Sequence, residues 1–351
     1  FDLPAPRMLV TEHRAEKKCC PFCQTAQQAE FPEGIHAPAQ YGDGVTAWTA
    51  YLHGYHLLPL DRIGQMFEDL TGYRPSDGTL LTSIRNLKQA LVPVNQIIQE
   101  QLLASPVVHA DETGTRVQGK KHWVHTVSSA NWTLLAVHCT RGTPAIEAMN
   151  VLPRYTGILV HDFYHIYFKD KYRFQHALCN AHLLRECQGI AEHDHHEWSS
   201  RMKELLQSAW KQASAARRSR KPLARAAIEE IEQRYDRILR EGEAEWSLDV
   251  VREKTGPRGR KIKSTAANLG ERLRLYKRDI LRFLYDTRVP FDNNQAERDI
   301  RMVKVKEKIS GTFRTTLGAD VFASIRSFIS TLLKQNRPII ASLQLAYRGH
   351  F

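Results

Sequence analysis

The sequence has no apolar run approaching the roughly 20 residues that a membrane span requires. It has no N-terminal stretch with the charged, apolar and small-residue zones of a secretory leader. Cysteine is sparse: six residues, at positions 19, 20, 23, 139, 179 and 187, in a chain of 351. That excludes a disulfide framework for a chain this long and points to reduced thiols in a cytosolic setting. One Cys-x-x-Cys occurs, Cys20-Pro-Phe-Cys23, and no second one follows it. A tetrahedral Zn²⁺ site needs four ligands. The pair is therefore half of a zinc site or two idle thiols, since His13 and His36 are poorly spaced to complete it. The chain opens on Phe1 rather than methionine, so its natural start is expected upstream. Acidic residues run short towards the C-terminus. Counting Lys and Arg against Asp and Glu, residues 251–351 carry +13 and residues 1–250 carry −1, giving +12 in all. Such a block suggests a polyanionic partner, most simply nucleic acid; the plainer reading is a solvated basic surface.

What is present is ordinary globular material, 42% apolar and 25% charged, long enough for two or three domains. Residues 1–40 read as irregular. Residues 41–105 read as helical, with helices over 45–57, 60–70 and 77–91. Ile63, Met66, Phe67 and Leu70 fall at helical spacing in the second, and Ser76 is the N-cap of the third. Two helices joined by the Gly72 turn fit a helix-turn-helix offering Thr79, Thr82, Ser83 or Arg85 to a DNA groove. Any helical hairpin gives the same pattern.

From Pro106 the period changes from helical to alternating. Segments 107–117, 122–128 and 133–138 read as three strands with short connections, an antiparallel meander. Thr143-Pro144 opens a helix, and Ile158-Leu159-Val160 is the continuous apolar run of a strand buried on both faces. A strand, a crossover and a second strand imply a parallel pair. Residues 174–180 suggest another short strand. Residues 186–288 are helical and charged and read as an inserted subdomain. The 289–351 segment returns to helices, with Asp292 as N-cap and Gln295 completing a capping box. The fold class is α/β: a mixed sheet with three antiparallel strands plus parallel strands, flanked by helices, with a helical insertion and a helical N-terminal region.

Val107–Val117 holds the centre. Alternation puts Val107, His109 and Asp111 on one face and Val108, Ala110 and Glu112 on the other. A carboxylate at a buried strand end costs solvation free energy unless a cation or donors meet it. The second apolar strand also ends on an acid, Asp162, beside Asp111 if the strands are parallel neighbours. Glu297 lies on a helix whose face also carries Arg301, Lys304 and Lys308. Three acids of this kind suit two Mg²⁺ (or Mn²⁺) ions, about 3.5–4 Å apart, in phosphoryl transfer. The competing reading pairs Glu297 with Arg301 on a wet surface, for a few tenths of a kcal/mol. Cys179 and His182 are either a buried thiol with a capping imidazole or a metal pair. His193, Asp194, His195 and His196 are either ligands or a solvated helix junction. Trp246, near the basic loop 258–263, is either core or a platform for an unpaired base.

The segments HADETG at 109–114, HDFYHIY at 161–167, ALCNAHLLRE at 177–186 and NNQAERDIRMVKVKEKISGTFRT at 293–315 together resemble the transposases of the insertion sequence 66 family. The resemblance covers most of the chain, and the last block is its most specific part. It implies a DDE transposase with an RNase H-like catalytic core and a helical insertion between the second and third acids. It implies Asp111, Asp162 and Glu297 as catalytic acids and Cys179-x-x-His182, with Arg185 beyond it, as a family motif. It implies Cys20 and Cys23 as the second half of a zinc-binding segment. Domain bounds follow: 1–40 as the remnant of that segment and a linker, 41–105 as a helical DNA-binding region, 106–185 and 289–351 as the two parts of the catalytic domain around the 186–288 insertion. Expected DNA contacts are Arg298, Arg301, Lys304, Lys308 and Arg314, with Arg258, Arg260, Lys261 and Lys263 in the loop. The implied activity is Mg²⁺-dependent cleavage at element ends and 3′-hydroxyl attack on target DNA. The implied partners are double-stranded DNA, further copies of the chain on that DNA, and accessory proteins of the element; the implied place is the nucleoid of a bacterial-type cytoplasm. The alternatives are a structure-selective nuclease on the same fold and a catalytically silent DNA-binding derivative.

Overall fold

The computed structural model describes residues 1–2, 5–249 and 263–350. The elements in chain order begin with strands β1 (Lys17–Cys19) and β2 (Ala26–Gln28). Helices α1 (Asp43–Gly54), α2 (Leu60–Thr71), α3 (Asp77–Ala90) and α4 (Val92–Ala104) follow. Then come β3 (Val107–Val117), β4 (Lys120–Ser128), β5 (Thr133–His138), α5 (Thr143–Met149), β6 (Ile158–His161) and β7 (Gln175–Leu178). The remainder is helical: α6 (Asn180–His193), α7 (Glu197–Arg218), α8 (Arg225–Trp246), α9 (Thr265–Leu275), α10 (Lys277–Ile280), α11 (Arg282–Tyr285), α12 (Asn294–Ser310), α13 (Thr316–Lys334) and α14 (Ile339–Tyr347). The chain forms two compact units, Phe1–Asn95 with Val305–Phe351, and Gln96–Lys304.

The second unit is built on a five-stranded sheet in the order β5-β4-β3-β6-β7. β3, β4 and β5 are antiparallel neighbours, while β3–β6 and β6–β7 run parallel. This is the expected mixed sheet, consistent with an RNase H-like core plus a helical region. The β3–β4 hairpin closes in two residues, Gln118 and Gly119, both at positive φ (52° and 74°). That geometry matches the right-handed twist of the flanking strands and fixes their register. β4 therefore starts at Lys120, two residues before the sequence pattern suggests.

β6 is buried along its whole length, as its unbroken apolar run requires. Ile158, Val160, Ala177 and Leu178 join one hydrophobic cluster with Leu183, Cys187 and Ile190 of α6. The same cluster takes in Trp198 and Met202 of α7, Tyr235 and Leu239 of α8, and Leu269 and Leu273 of α9. The inserted helices thus share their core with the parallel edge of the sheet. Trp246 sits inside it, 8% exposed and edge-on to Trp198 with ring centroids 4.9 Å apart. That corrects its reading as a base platform, because no face of the ring is presented to solvent. His196 closes the α6–α7 junction: its Nε2 meets Asp249 Oδ1 at 2.9 Å and its Nδ1 lies 3.4 Å from Glu245 Oε2.

In the other unit, α1 packs on α14 and α3, and α2 on α3. α13 passes the length and apolarity test for a membrane span, but 72% of that window is buried inside the fold, so it is a core helix. Ser76 caps α3, accepting from Thr79 N–H at 3.1 Å. α2 ends on Gly72 in the left-handed region, where a glycine carries no Cβ penalty. Ser83 is buried on the inner face of α3 and is unavailable to a DNA groove, whereas Thr82 and Arg85 are exposed.

Candidate active site

Two acids are placed by the sheet. β3 and β6 pair in parallel with Val107 opposite Ile158 and His109 opposite Val160. Extending that register by two steps sets Asp111 level with Asp162, the residue just past β6. Asp111 Oδ1 accepts from the Glu112 N–H at 2.8 Å, and Asp162 Oδ1 from the Tyr164 N–H at 3.0 Å. The third acid, Glu297, lies in the first turn of α12, where the helix dipole favours a negative charge.

Asn293 ties that helix to the strand. Its side-chain amide donates to the Ala110 carbonyl at 2.8 Å, its Oδ1 meets His109 Nδ1 at 2.9 Å, and its backbone N–H points at Cys179 Sγ at 3.2 Å. Asn293 is 2% exposed. It is the residue before α12, so the cap lies one position later than expected. Asp292 stands outside the helix and accepts from the Asn294 N–H at 3.1 Å.

The charges of these acids act on one another. Burial pushes the Asp111 carboxyl up to about 7, and the like charges of Glu112, Asp162 and Glu297 push the same way, against the hydrogen bond from Glu112 N–H. All three acids singled out in the sequence lie in one unit, and Asp162 and Glu297 are near enough for their charges to act on Asp111, but among the described residues the three do not form a cluster with ligand atoms within 4.8 Å of one another. Carboxylate oxygens are the donors that a hard divalent cation selects.

Glu112 has a different job. It is buried, with Arg141 Nε and Nη2 at 2.8 and 2.6 Å and the Tyr167 hydroxyl at 2.9 Å. Burial and the Asp162 charge raise its carboxyl, and Arg141 pulls it back. The Arg141 guanidinium in turn stacks over Tyr164 at 4.0 Å and near Trp123 at 5.0 Å. Arg141 and Asn293 escape a sequence reading. Arg141 lies in a loop 29 residues from Glu112, and only the chain reversal through β4 and β5 joins them.

Arg298, Arg301 and Lys304 are exposed on α12 within this unit; Lys304 also donates to the Gly114 carbonyl. Lys308 and Arg314 are exposed in the other unit. Arg185 is exposed on α6. Lys263 is exposed and paired with Glu271. Arg258, Arg260 and Lys261 lie outside the described residues. Cys20 and Cys23 sit at the turn of the β1–β2 hairpin. A hydrogen bond with the Thr25 side chain, then ones with its backbone and with Cys20, lower the Cys23 thiol to about 7. Two thiols on a hairpin turn suit half a zinc site, but among the described residues no third Cys, His, Asp or Glu joins them.

Asp111 within β3, Asp162 just past the adjacent parallel strand β6 and Glu297 in the first turn of α12 are an arrangement of acids that suits metal-dependent phosphoryl transfer on an RNase H-like core. A family model described as "Transposase IS66 family" matches residues 38–321. The chain belongs to that family, whose members are DDE transposases, enzymes of phosphoryl transfer that bind DNA and depend on divalent metals. No curated protein matches the chain.

Proposed function

We propose that this chain cuts the ends of a mobile DNA element and joins the freed 3′-hydroxyls to target DNA, with Asp111, Asp162 and Glu297 as its catalytic acids. The observation that carries the reading is the β3–β6 register, which sets Asp111 level with Asp162, in a chain that matches the IS66 transposase family over residues 38–321. Mg²⁺ or Mn²⁺ bound by these acids supplies Lewis-acid activation of the attacking water or hydroxyl and charge stabilisation of the leaving oxygen. The protein's own part is positional. β3 and the end of β6 hold two acids in register, Asn293 holds the start of α12 against β3, and Glu112 pins Arg141 beside the acid cluster. Arg298 and Arg301, exposed on the helix that carries Glu297, hold the DNA backbone through phosphate contacts that carry no sequence information. The catalytic domain is assigned to residues 106–185 and 289–351 around the helical 186–288 segment, with DNA recognition in 41–105. The chain acts as an oligomer on double-stranded DNA, with accessory proteins of the element, at the nucleoid of a bacterial-type cytoplasm.

Plasmid nicking tests this. The expected result is Mg²⁺- or Mn²⁺-dependent nicking that falls at least 10³-fold in Asp111→Asn, Asp162→Asn and Glu297→Gln while DNA binding persists, as loss of the charges that neutralise a two-metal site demands. Nicking that survives Asp111→Asn would falsify the assignment. DNA binding with no cleavage by the unmodified chain would mark a silent derivative.

A further inference from the structure

Cys179 precedes α6 and His182 lies in its first turn, while Glu297 lies in the first turn of α12. The start of one helix thereby faces the start of another. One ligand atom from each residue lies within 4.8 Å of the other two. His182 Nδ1 and Glu297 Oε1 stand 4.0 Å apart, too far for a direct hydrogen bond. Both atoms are buried, and neither has a hydrogen-bond partner among the described residues. Two facing polar atoms left unsatisfied in this way call for something between them.

We propose that Cys179, His182 and Glu297 bind a zinc-type transition-metal ion, separate from the hard-metal site of the acid cluster. A thiolate and an imidazole suit Zn²⁺ or Co²⁺ and not Mg²⁺, which selects oxygen ligands. Zinc–ligand bonds of about 2.0–2.3 Å place tetrahedral ligand atoms roughly 3.3–3.7 Å apart, so the three donors need to close by only about 1 Å. The surroundings suit the ion. The Asn293 N–H already points at Cys179 Sγ, and the amide of Asn293 is locked by Ala110 and His109; such outer contacts orient a ligand and hold it. Metal entry displaces the thiol proton to solvent. With Oε1 committed to the ion, Glu297 keeps Oε2 for the acid cluster. The Cys-x-x-His motif would then fix the third acid's rotamer by coordination. This last role rests on the function proposed above; the binding itself does not.

Metal binding is measured without DNA or turnover. In the full chain with Cys19, Cys20, Cys23 and Cys139 changed to Ser, and with Mg²⁺ in excess, Co²⁺ is titrated and read by absorption. The expected result is one equivalent of Co²⁺ with a thiolate-to-metal charge-transfer band, displaced by Zn²⁺. The band is lost in Cys179→Ser. It weakens at least tenfold in affinity in His182→Ala, a half-exposed position whose truncation leaves the core intact. It persists in Asp111→Asn. Absence of the band in the parent chain, or unchanged affinity in His182→Ala, overturns the site. If the band behaves as expected while every form fails to nick DNA, the site stands and the proposed activity falls.

Discussion

Asp111 is where the cost of assembling the site is concentrated. Burial holds its carboxyl up to about 7 in the folded chain, against about 3.9 when unfolded. Between those values the folded state binds the extra proton, so raising the pH removes stability, fully so above about 7. The loss is at most about 4 kcal/mol. In EDTA, the melting temperature should fall from pH 5 to pH 8, and Asp111→Asn should flatten that fall and raise stability at pH 8. Mg²⁺ or Mn²⁺ should restore the parent chain at pH 8 far more than at pH 5, because only the ionised cluster binds it. Equal slopes for parent and Asp111→Asn in thermal scans would rule out this account of the acid cluster. Glu112 makes a contrasting prediction. Changing it to Ala strands the Tyr167 hydroxyl and one side of Arg141. The expected cost is roughly 2 kcal/mol, less than for a fully buried pair because the Arg141 side chain is 39% exposed. Urea unfolding measures it.

Among the elements, those set by local alternation could be read from sequence. β3, β5 and the buried run of β6 are nearly as expected, and with them the neighbouring positions of Asp111 and Asp162. Contacts between distant segments could not be read in this way. Nothing local in the 291–298 stretch says that Asn293, and not Asp292, is the last residue before α12. The reason lies in Ala110, His109 and Cys179, more than a hundred residues upstream. Trp246 is similar: its polar, basic surroundings in sequence suggest exposure, yet two glycines make room for the ring in the core. A Cβ on Gly242 would stand 2.6 Å from Trp198 Cγ and 2.7 Å from Trp246 Cζ3, and Gly270 leaves still less space. Gly242→Ala should therefore destabilise the chain by about 1–3 kcal/mol through overpacking, although alanine is the better helix former by up to ~1 kcal/mol. A midpoint in urea equal to or above that of the parent would show that the helices simply part to take the methyl.

For the molecule as a whole, net charge is a weaker guide than where the charge is free to act. Of the +12, a share is already committed: Lys263, Arg272 and Arg274 pair with glutamates, and Lys277 and Arg282 with aspartates. Arg298, Arg301 and Lys308 are instead exposed along α12. DNA binding that uses them releases counterions, so log Kd should rise linearly with log salt concentration, with a slope near 0.9 for each phosphate neutralised. Replacing all three by Ala should lower the slope by about 3 and weaken binding similarly for every DNA sequence, because phosphate contacts do not read bases. Loss of Lys263, already held by Glu271, should change the slope little, so Lys263→Ala serves as the internal control. Fluorescence anisotropy on random-sequence and element-end duplexes across a salt series separates the outcomes. An unchanged slope in the triple variant would mean that α12 does not face the DNA backbone. A loss confined to element ends would move those side chains from backbone contact to base reading, and with it move sequence recognition onto the helix that carries Glu297.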